Sequence, residues 1–463
     1  MWQNLMRCVS KSPPALQSAP LLRGSILGSR SKKKAAFGGS PYGIPELVLA
    51  GAERTEGRGG LFFFLLLTLA VPVHAQSAPN TFFLHDGDTV VFYGDSITEQ
   101  QRYTRDVETF VLTRFPEWHV KFINSGWNGD RVSGGEGGSL ETRLKRDVLA
   151  YHPTVVTILL GMNDGAYTHY DQSAFDTYSQ GLTHLVDTLT QKQPGVRLTL
   201  LTPTYYDQFA PWSRHFRGYN AVLLRYGDFV KKLGAERNIP VVDLNAPMRA
   251  ATKQGRRRDL KYTLVDDGVH PTEAGHLVIA AALLQVWHAP GLVADVLLDP
   301  ANPVTVTAPL PWPLPEDARN AEAVSPVPGS LNIFRAHAPL LGGTRWDLLV
   351  DGKSVGTFTR PQLRSGLDLA SMPALPQNKQ AAGVLGIVEN KNDRWRYLWK
   401  GSPLAIAAPD DAPSDSEALA LLAIDQWLDD ARSTARTAAQ KQTHVFSLRP
   451  AFLSEPFPRR KSK

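Results

Sequence analysis

Between residues 81 and 289 short apolar runs alternate with stretches of helical spacing, and this alternation limits the folds open to the chain more than any other feature. The strand candidates are 89–93, 120–124, 154–160, 197–202 and 240–244; the helix candidates are 102–114, 140–150, 174–191, 217–236 and 272–287. The run from Val155 to Leu160 is apolar almost throughout, as a strand covered on both faces must be. Strands alternating with helices predict a parallel sheet with right-handed crossovers and helices on both sides. One α/β domain is therefore expected over 81–289.

Composition removes several classes of function. The net charge of +6 resides in the leading 60 residues; from Gln76 onward 41 Lys/Arg balance 41 Asp/Glu. The body of the protein has no basic footprint for nucleic acid. The one cysteine is Cys8, so the body has no disulfide, no thiolate nucleophile and no Cys-ligated zinc. Residues 1–60 are rich in Gly, Ser, Pro and Lys/Arg, have weak periodicity, and are expected to be disordered. Leu61–Val71 is an uncharged apolar run preceded by Arg58 and closed by Val73-His74-Ala75. Residues 61–75 therefore read as a secretory signal peptide cleaved after Ala75, too short for a membrane span. A secreted or periplasmic location follows, with no stable membrane span after cleavage. Signals of this kind open a chain, so the true translation start is expected downstream of Met1.

Beyond residue 289 the pattern changes. Residues 299–329 are proline-rich, including Pro309-Leu-Pro-Trp-Pro-Leu-Pro315, and read as an extended connector. In the 330–463 extension, 346–358 reads as a hairpin around Asp351-Gly352. A helix is expected over about 377–399. A capping-box pattern at Ser414-Asp-Ser-Glu417 opens another, with Leu421, Ile424, Leu428, Ala431 and Ala435 at helical spacing. No role for this extension follows from its residues.

The chemistry-bearing residues fall where strands end. Gly94-Asp95-Ser96 closes the first strand, Asn124-Ser125-Gly126 the second and Gly161-Met162-Asn163-Asp164 the third; Asp267-Gly268-Val269-His270 precedes the last helix. In a parallel sheet these ends share one rim. Taken singly, each has a plain structural meaning. Ser96 fits a helix cap as well as a nucleophile, Asn163-Asp164 fits an Asx turn, and His270-Pro271 fits a helix start.

Together the four blocks resemble the SGNH/GDSL hydrolase family over roughly residues 90–287, in the family's order. The first block reads Gly-Asp-Ser-Ile where Gly-Asp-Ser-Leu is the family's eponymous form. The resemblance implies a three-layer α/β/α sandwich with a five-stranded parallel, flavodoxin-like sheet, extended here by the hairpin and helices. It implies a serine ester hydrolase in which Ser96 matches the nucleophile, His270 the base and Asp267 its orienter. Ser96, Gly126 and Asn163 match the oxyanion-hole donors. The residue types suit that chemistry. A serine hydroxyl needs a base to become a nucleophile, an imidazole titrates near neutral pH, and a carboxylate fixes its tautomer. No cofactor is expected. A metal reading of His270, His276, Asp266 and Asp267 lacks the i, i+4 spacing of two ligands on one helix face. The glycine-rich 134–138 lacks the Lys-Ser/Thr that completes a phosphate loop.

The expected substrate is a small-molecule, polysaccharide or lipid ester. Export and the absence of a large apolar lid segment favour carbohydrate or small esters over the alternative, a lysophospholipase or other lipid acyl-hydrolase. A rival of another class is an inactive carbohydrate-binding protein on the same fold, against which the intact residue set argues.

Overall fold

The computed structural model describes residues 81–315, 318, 321, 324–325, 327–339, 341–400 and 415–451. The leading segment, the stretch 61–75 expected to be a signal peptide, the capping-box side chains at 414–417 and the basic tail lie outside the described residues. The first strand, β1 (Thr89–Gly94), leads into a one-turn helix α1 (Ser96–Glu99) and α2 (Arg102–Arg114). Next come β2 (Lys121–Gly126), a small hairpin of β3 (Gly134–Gly135) and β4 (Gly138–Ser139), and α3 (Leu140–Asp147). Then β5 (Val155–Leu159), α4 (Gln172–Lys192), β6 (Arg197–Leu201), α5 (Tyr219–Arg237), β7 (Val241–Val242), α6 (Asn245–Gly255) and α7 (Glu273–Val286) follow.

The expected five-stranded parallel sheet is present, with strand order β2-β1-β5-β6-β7. All five residues of β5 are buried, as its unbroken apolar run requires. Helices flank both faces. On one, α2 packs against α7, and Tyr103 stacks on His276. On the other, α4 meets α5 through Tyr178 and Tyr226, with ring centroids 4.5 Å apart. The buried stripe of α4, Tyr178, Leu182, Leu185, Val186 and Leu189, has the three-and-four spacing of an amphipathic helix. The chain leaves β1 toward β2, then crosses back to β5. That reversal opens a crevice at the carboxyl ends of the strands, the position where such sheets bind ligands.

Some expected boundaries move. The last strand shrinks from 240–244 to Val241–Val242. Pro240 has no N–H to give a ladder, and the Leu244 N–H goes to the Thr202 side chain at 2.9 Å. The helix expected over 140–150 stops at Asp147 and continues as a 3-10 turn, Leu149–Tyr151. The helical stretch after Ser96 breaks at Gln101, whose φ is +62°. The helix α6 was not anticipated; the residue before it, Leu244, has no capping side chain.

The C-terminal region departs most from expectation. It contains β8 (Leu292–Leu297), β9 (Val304–Thr307), α8 (Val327–Ser330), β10 (Ile333–His337), β11 (Arg345–Val350) and β12 (Lys353–Thr359). These are followed by α9 (Arg360–Ser365), β13 (Leu367–Asp368), α10 (Pro376–Lys400), α11 (Asp415–Ala438) and β14 (Thr443–Pro450). The hairpin forms as expected, with Asp351 and Gly352 both at positive φ. It is not isolated: it belongs to a four-stranded antiparallel sheet, β12-β11-β14-β9, beside a three-stranded sheet, β13-β10-β8. The proline-rich stretch is correspondingly more than a connector. It supplies β9 and buries Leu310 and Trp312, because its prolines flank segments that pair or pack.

Trp312 meets Phe110 edge-on and donates its indole N–H to the Asp106 carbonyl at 3.0 Å. The helices α10 and α11 share an apolar cluster with α2: Leu112, Leu310, Ala381, Val384, Val388 and Ala435. Every residue of α2 after Arg102 is buried, four charged side chains included. Those charges are matched by α10 and its surroundings. Lys391 pairs with Glu108 at 2.6 Å, Glu389 with Arg105 at 2.9 Å, and Arg114 donates to the Leu310 and Leu331 carbonyls. Burial pushes the Arg114 guanidinium down to about 9.

Candidate active site

Ser96 is presented by a turn whose three residues have distinct jobs. Gly94 leaves no room for a side chain: a Cβ there would lie 2.2 Å from Thr98 Oγ1 and 2.7 Å from the Leu159 carbonyl. Asp95 caps α1, accepting the Ile97 N–H on Oδ1 at 2.9 Å. The cap is thus Asp95 and not Ser96, which leaves the serine hydroxyl to bond elsewhere. Ser96 Oγ lies 2.9 Å from His270 Nε2. As the first residue of a helix, Ser96 also has a backbone N–H with no intrahelical acceptor.

The loop that carries His270 is built around the Asp267 carboxylate. Its Oδ1 accepts the Val269 and His270 N–H groups at 2.8 and 2.7 Å, and its Oδ2 is 2.7 Å from His270 Nδ1. Gly268 between them has a φ of +88°, and a Cβ there would crowd Ser213. Thr272 then caps α7 by accepting the Gly275 N–H, fixing where His270 leaves the loop. Burial pushes Asp267 up, but the hydrogen bonds from the His270 ring and the two N–H groups outweigh it and hold the carboxyl well below the usual range. The Asp267 hydrogen bond raises His270 above its ordinary value; burial opposes this, and the Asp267, Asp95 and Glu99 charges add to it.

Gly126 and Asn163 end their strands on the same rim. Gly126 pairs with Gly94 across β1 and β2, and a Cβ on it would lie 2.1 Å from Glu99 N, so only glycine fits behind α1. Its N–H donates to Asn124 Oδ1 at 3.1 Å. Asn124 in turn ties β2 to α1 and α2, donating to the Thr98 carbonyl and Thr104 Oγ1. The Asn163 amide is held at both ends. Tyr167 donates to its Oδ1 at 2.6 Å, and its Nδ2 donates to the Asp130 carbonyl at 3.0 Å. An amide nitrogen carries two hydrogens, so one is left for a further acceptor.

Several residues that shape the site did not stand out in the sequence. Tyr167 sits with Ala166 in two successive left-handed residues, and its ring stacks on His215 with centroids 4.3 Å apart. Asp130 pairs with the fully buried Arg143, which also meets Asp147 at 2.6 Å. Burial pushes Asp95 and Asp164 up to about 7 and Asp130 up to about 6, each also feeling neighbouring carboxylates. Tyr167 lies four residues after Asn163, the one local signal that would have found it. Trp127, the residue after Gly126, has Arg143 and Arg146 over its ring. His276 points away from a shared ligand set: it is buried, stacks on Tyr103, and its Nε2 bonds Gln100 at 2.8 Å. Among the described residues no group of three or more His, Cys, Asp or Glu side chains is arranged to hold a metal.

The serine, imidazole and carboxylate thus form one hydrogen-bonded chain at the crevice. Residues 92–278 match the model of the GDSL-like lipase/acylhydrolase family. An acetylxylan esterase from Geobacillus stearothermophilus is 28% identical over 224 residues, 43% of this chain and 93% of its own length. A crystal structure of Axe2, an acetylxylan esterase of the same organism, aligns at 25% identity with a TM-score of 0.36, covering 44% of this chain and 96% of that one. A gut microbial diltiazem-metabolizing enzyme shares the fold more widely, with a TM-score of 0.70 at 21% identity over 80% of this chain and 99% of that one. That coverage takes in much of the region beyond the family match, so the C-terminal elements belong to a shared architecture. The domain that carries Ser96 and His270 therefore belongs to the GDSL-like lipase/acylhydrolase family, and the protein is a carboxylic ester hydrolase.

Proposed function

We propose that the protein is an exported serine esterase that removes short acyl groups from carbohydrate or small esters through an acyl-enzyme. The observation that carries this reading is the chain Ser96 Oγ–His270 Nε2–His270 Nδ1–Asp267, with links of 2.9 and 2.7 Å. His270 takes the Ser96 proton as Oγ attacks the ester carbonyl, and Asp267 stabilises the imidazolium that forms. The imidazolium returns the proton to the departing alcohol. Water, activated by the same histidine, then releases the acid and restores Ser96.

The oxyanion of each tetrahedral intermediate is assigned to the Ser96 N–H, the Gly126 N–H and the free hydrogen of the Asn163 amide. The Gly126 N–H must then share its bond between Asn124 and the oxyanion. The likeness to an acetylxylan esterase supports carbohydrate acetyl esters as the substrate class. Export rests on the 61–75 segment. Its test is N-terminal sequencing of the exported protein, which should begin at Gln76; a mature start well before it excludes this signal.

The activity is tested with a panel of acetylated xylan, lysophospholipid and p-nitrophenyl esters of increasing chain length. Turnover of acetylated xylan and acetyl esters, falling with chain length, is expected. Preference for lysophospholipid or long chains overturns the substrate assignment. Ser96 left unlabelled by a fluorophosphonate probe in folded protein overturns the mechanism.

A further inference from the structure

The end of α10 grips the element that carries Ser96. Glu99 closes α1 three residues after the serine, and its side chain is only 12% exposed. Its Oε1 accepts Arg396 at 3.1 Å and Lys400 at 2.6 Å, both from the last two turns of α10. The same turns hold the exit of β2: Lys400 Nζ lies 4.6 Å from the Trp127 ring centroid, and Trp399 meets that ring edge-on at 5.6 Å. Trp127 follows Gly126 and donates its N–H to the Gly94 carbonyl at 3.0 Å. Farther back, α10 is fixed to α2 by the Lys391–Glu108 and Glu389–Arg105 pairs.

A four-residue helix has too few hydrogen bonds to hold its own position. What fixes α1 is the Asp95 cap at its start, the Gly126 backbone behind it, and the Glu99 side chain at its end. We propose that Arg396 and Lys400 are positioning residues for catalysis: by clamping Glu99 they hold Ser96 where His270 can take its proton, so the C-terminal region completes the active site. This inference rests on the Ser96–His270 mechanism proposed above.

The clamp also has an electrostatic consequence. Asp267 from its own loop, Asp95 from the β1–α1 turn and Glu99 from α1 all favour the charged form of His270. Across α7 and α2, His276, Arg102 and Arg105 lie in the same field, the two arginines paired with Glu273. Arg396 and Lys400 oppose the Glu99 contribution. Removing them favours imidazolium and so inactivates the base at higher pH; removing the Glu99 charge does the reverse.

The test uses the full chain with p-nitrophenyl acetate, measuring kcat and KM across pH. Arg396→Met combined with Lys400→Met is expected to lower kcat about tenfold with KM within about twofold, and to move the acid limb up by about 0.5 pH unit. Glu99→Gln is expected to move the limb down by a similar amount, and Lys400→Arg to keep both parameters near wild type. If the double variant folds poorly, Lys400→Met alone carries the same test. A lower melting temperature with kcat and acid limb unchanged means that α10 only packs, and overturns the clamp. Ser96→Ala separates the two readings. If it keeps turnover, the mechanism itself fails; if it is inactive while the cation variants keep the wild-type profile, the clamp alone fails.

Discussion

Replacing Asp267 by Asn isolates the charge and tautomer control of His270 while sparing the loop. The Asp267 carboxylate makes three short contacts: two backbone N–H groups on Oδ1 and the imidazole Nδ1 on Oδ2. An Asn Oδ1 keeps the first two, so the loop from Asp267 to His270 retains its shape and stability changes by about 1 kcal/mol or less. The third contact inverts. An amide NH2 donates toward Nδ1, so the imidazole must carry its proton on Nε2. That nitrogen, 2.9 Å from Ser96 Oγ, then donates to the serine instead of accepting its proton. The expected loss is about 10³–10⁴ in kcat, or about 4–5.5 kcal/mol of transition-state stabilisation.

The pH profile changes with it. In the wild type Asp267 raises His270 above its ordinary value, and the base works only when neutral. Activity is therefore lost as pH falls through a point above the unperturbed value. Without the carboxylate the residual activity persists to lower pH. The assay is kcat and kcat/KM for p-nitrophenyl acetate against pH, with thermal unfolding as the control. A folded Asp267→Asn variant that keeps more than a tenth of wild-type kcat with an unmoved acid limb refutes this reasoning.

Other substitutions test other parts of the molecule. Asn163→Ala, which removes the amide that Tyr167 and Asp130 orient, should lower kcat by about 10²–10³ with little change in KM. Tyr167→Phe should lower kcat by a smaller factor, about tenfold, because the amide stays but loses the bond that fixes it; steady-state kinetics separate the two. Gly126→Ala drives a Cβ to 2.1 Å from Glu99 N, and its melting temperature should fall by an amount matching about 1–3 kcal/mol or more. Lys391→Ala leaves Glu108 buried and unpaired beneath α10, and denaturant unfolding should show a loss of about 3–5 kcal/mol, largely recovered when Glu108→Gln is added.

The catalytic domain was legible because its signals are local. The β5 run Val155–Leu159 is apolar because both faces are covered, and nothing distant decides it. Asp267 bonds the backbone two and three residues on and the ring of His270. Gly94 and Gly126 are fixed by backbone approaches at adjacent strand ends. The same locality explains the hairpin at Asp351-Gly352, where two left-handed residues make the turn. What the sequence hid depends on partners far along the chain. The strand β14 pairs with β9 and with β11 across more than ninety intervening residues, and nothing in its composition names them. Within the site, Asp130 holds Asn163 through a distant contact that no motif spacing encodes, and Tyr167 announces itself only by lying four residues on.

The helix α2 shows the same limit from the energetic side. Read alone, Arg102–Arg114 alternates charge and apolar residues as a solvated helix does, with one face for the sheet. In the folded chain its outward face is also buried, and Arg105, Glu108 and Arg114 lie out of water. Such burial destabilises unless each charge finds a partner. The partners come from Glu389, Lys391 and the carbonyls of Leu310 and Leu331. The pairing sets a register between α2 and α10 that apolar contacts alone would leave free to slide. That register brings Arg396 and Lys400 to Glu99, two turns beyond the pairs that set it. Buried charge on α2 is therefore what couples the C-terminal helices to the rim of the active site, and the ion pairs govern placement more than they add stability.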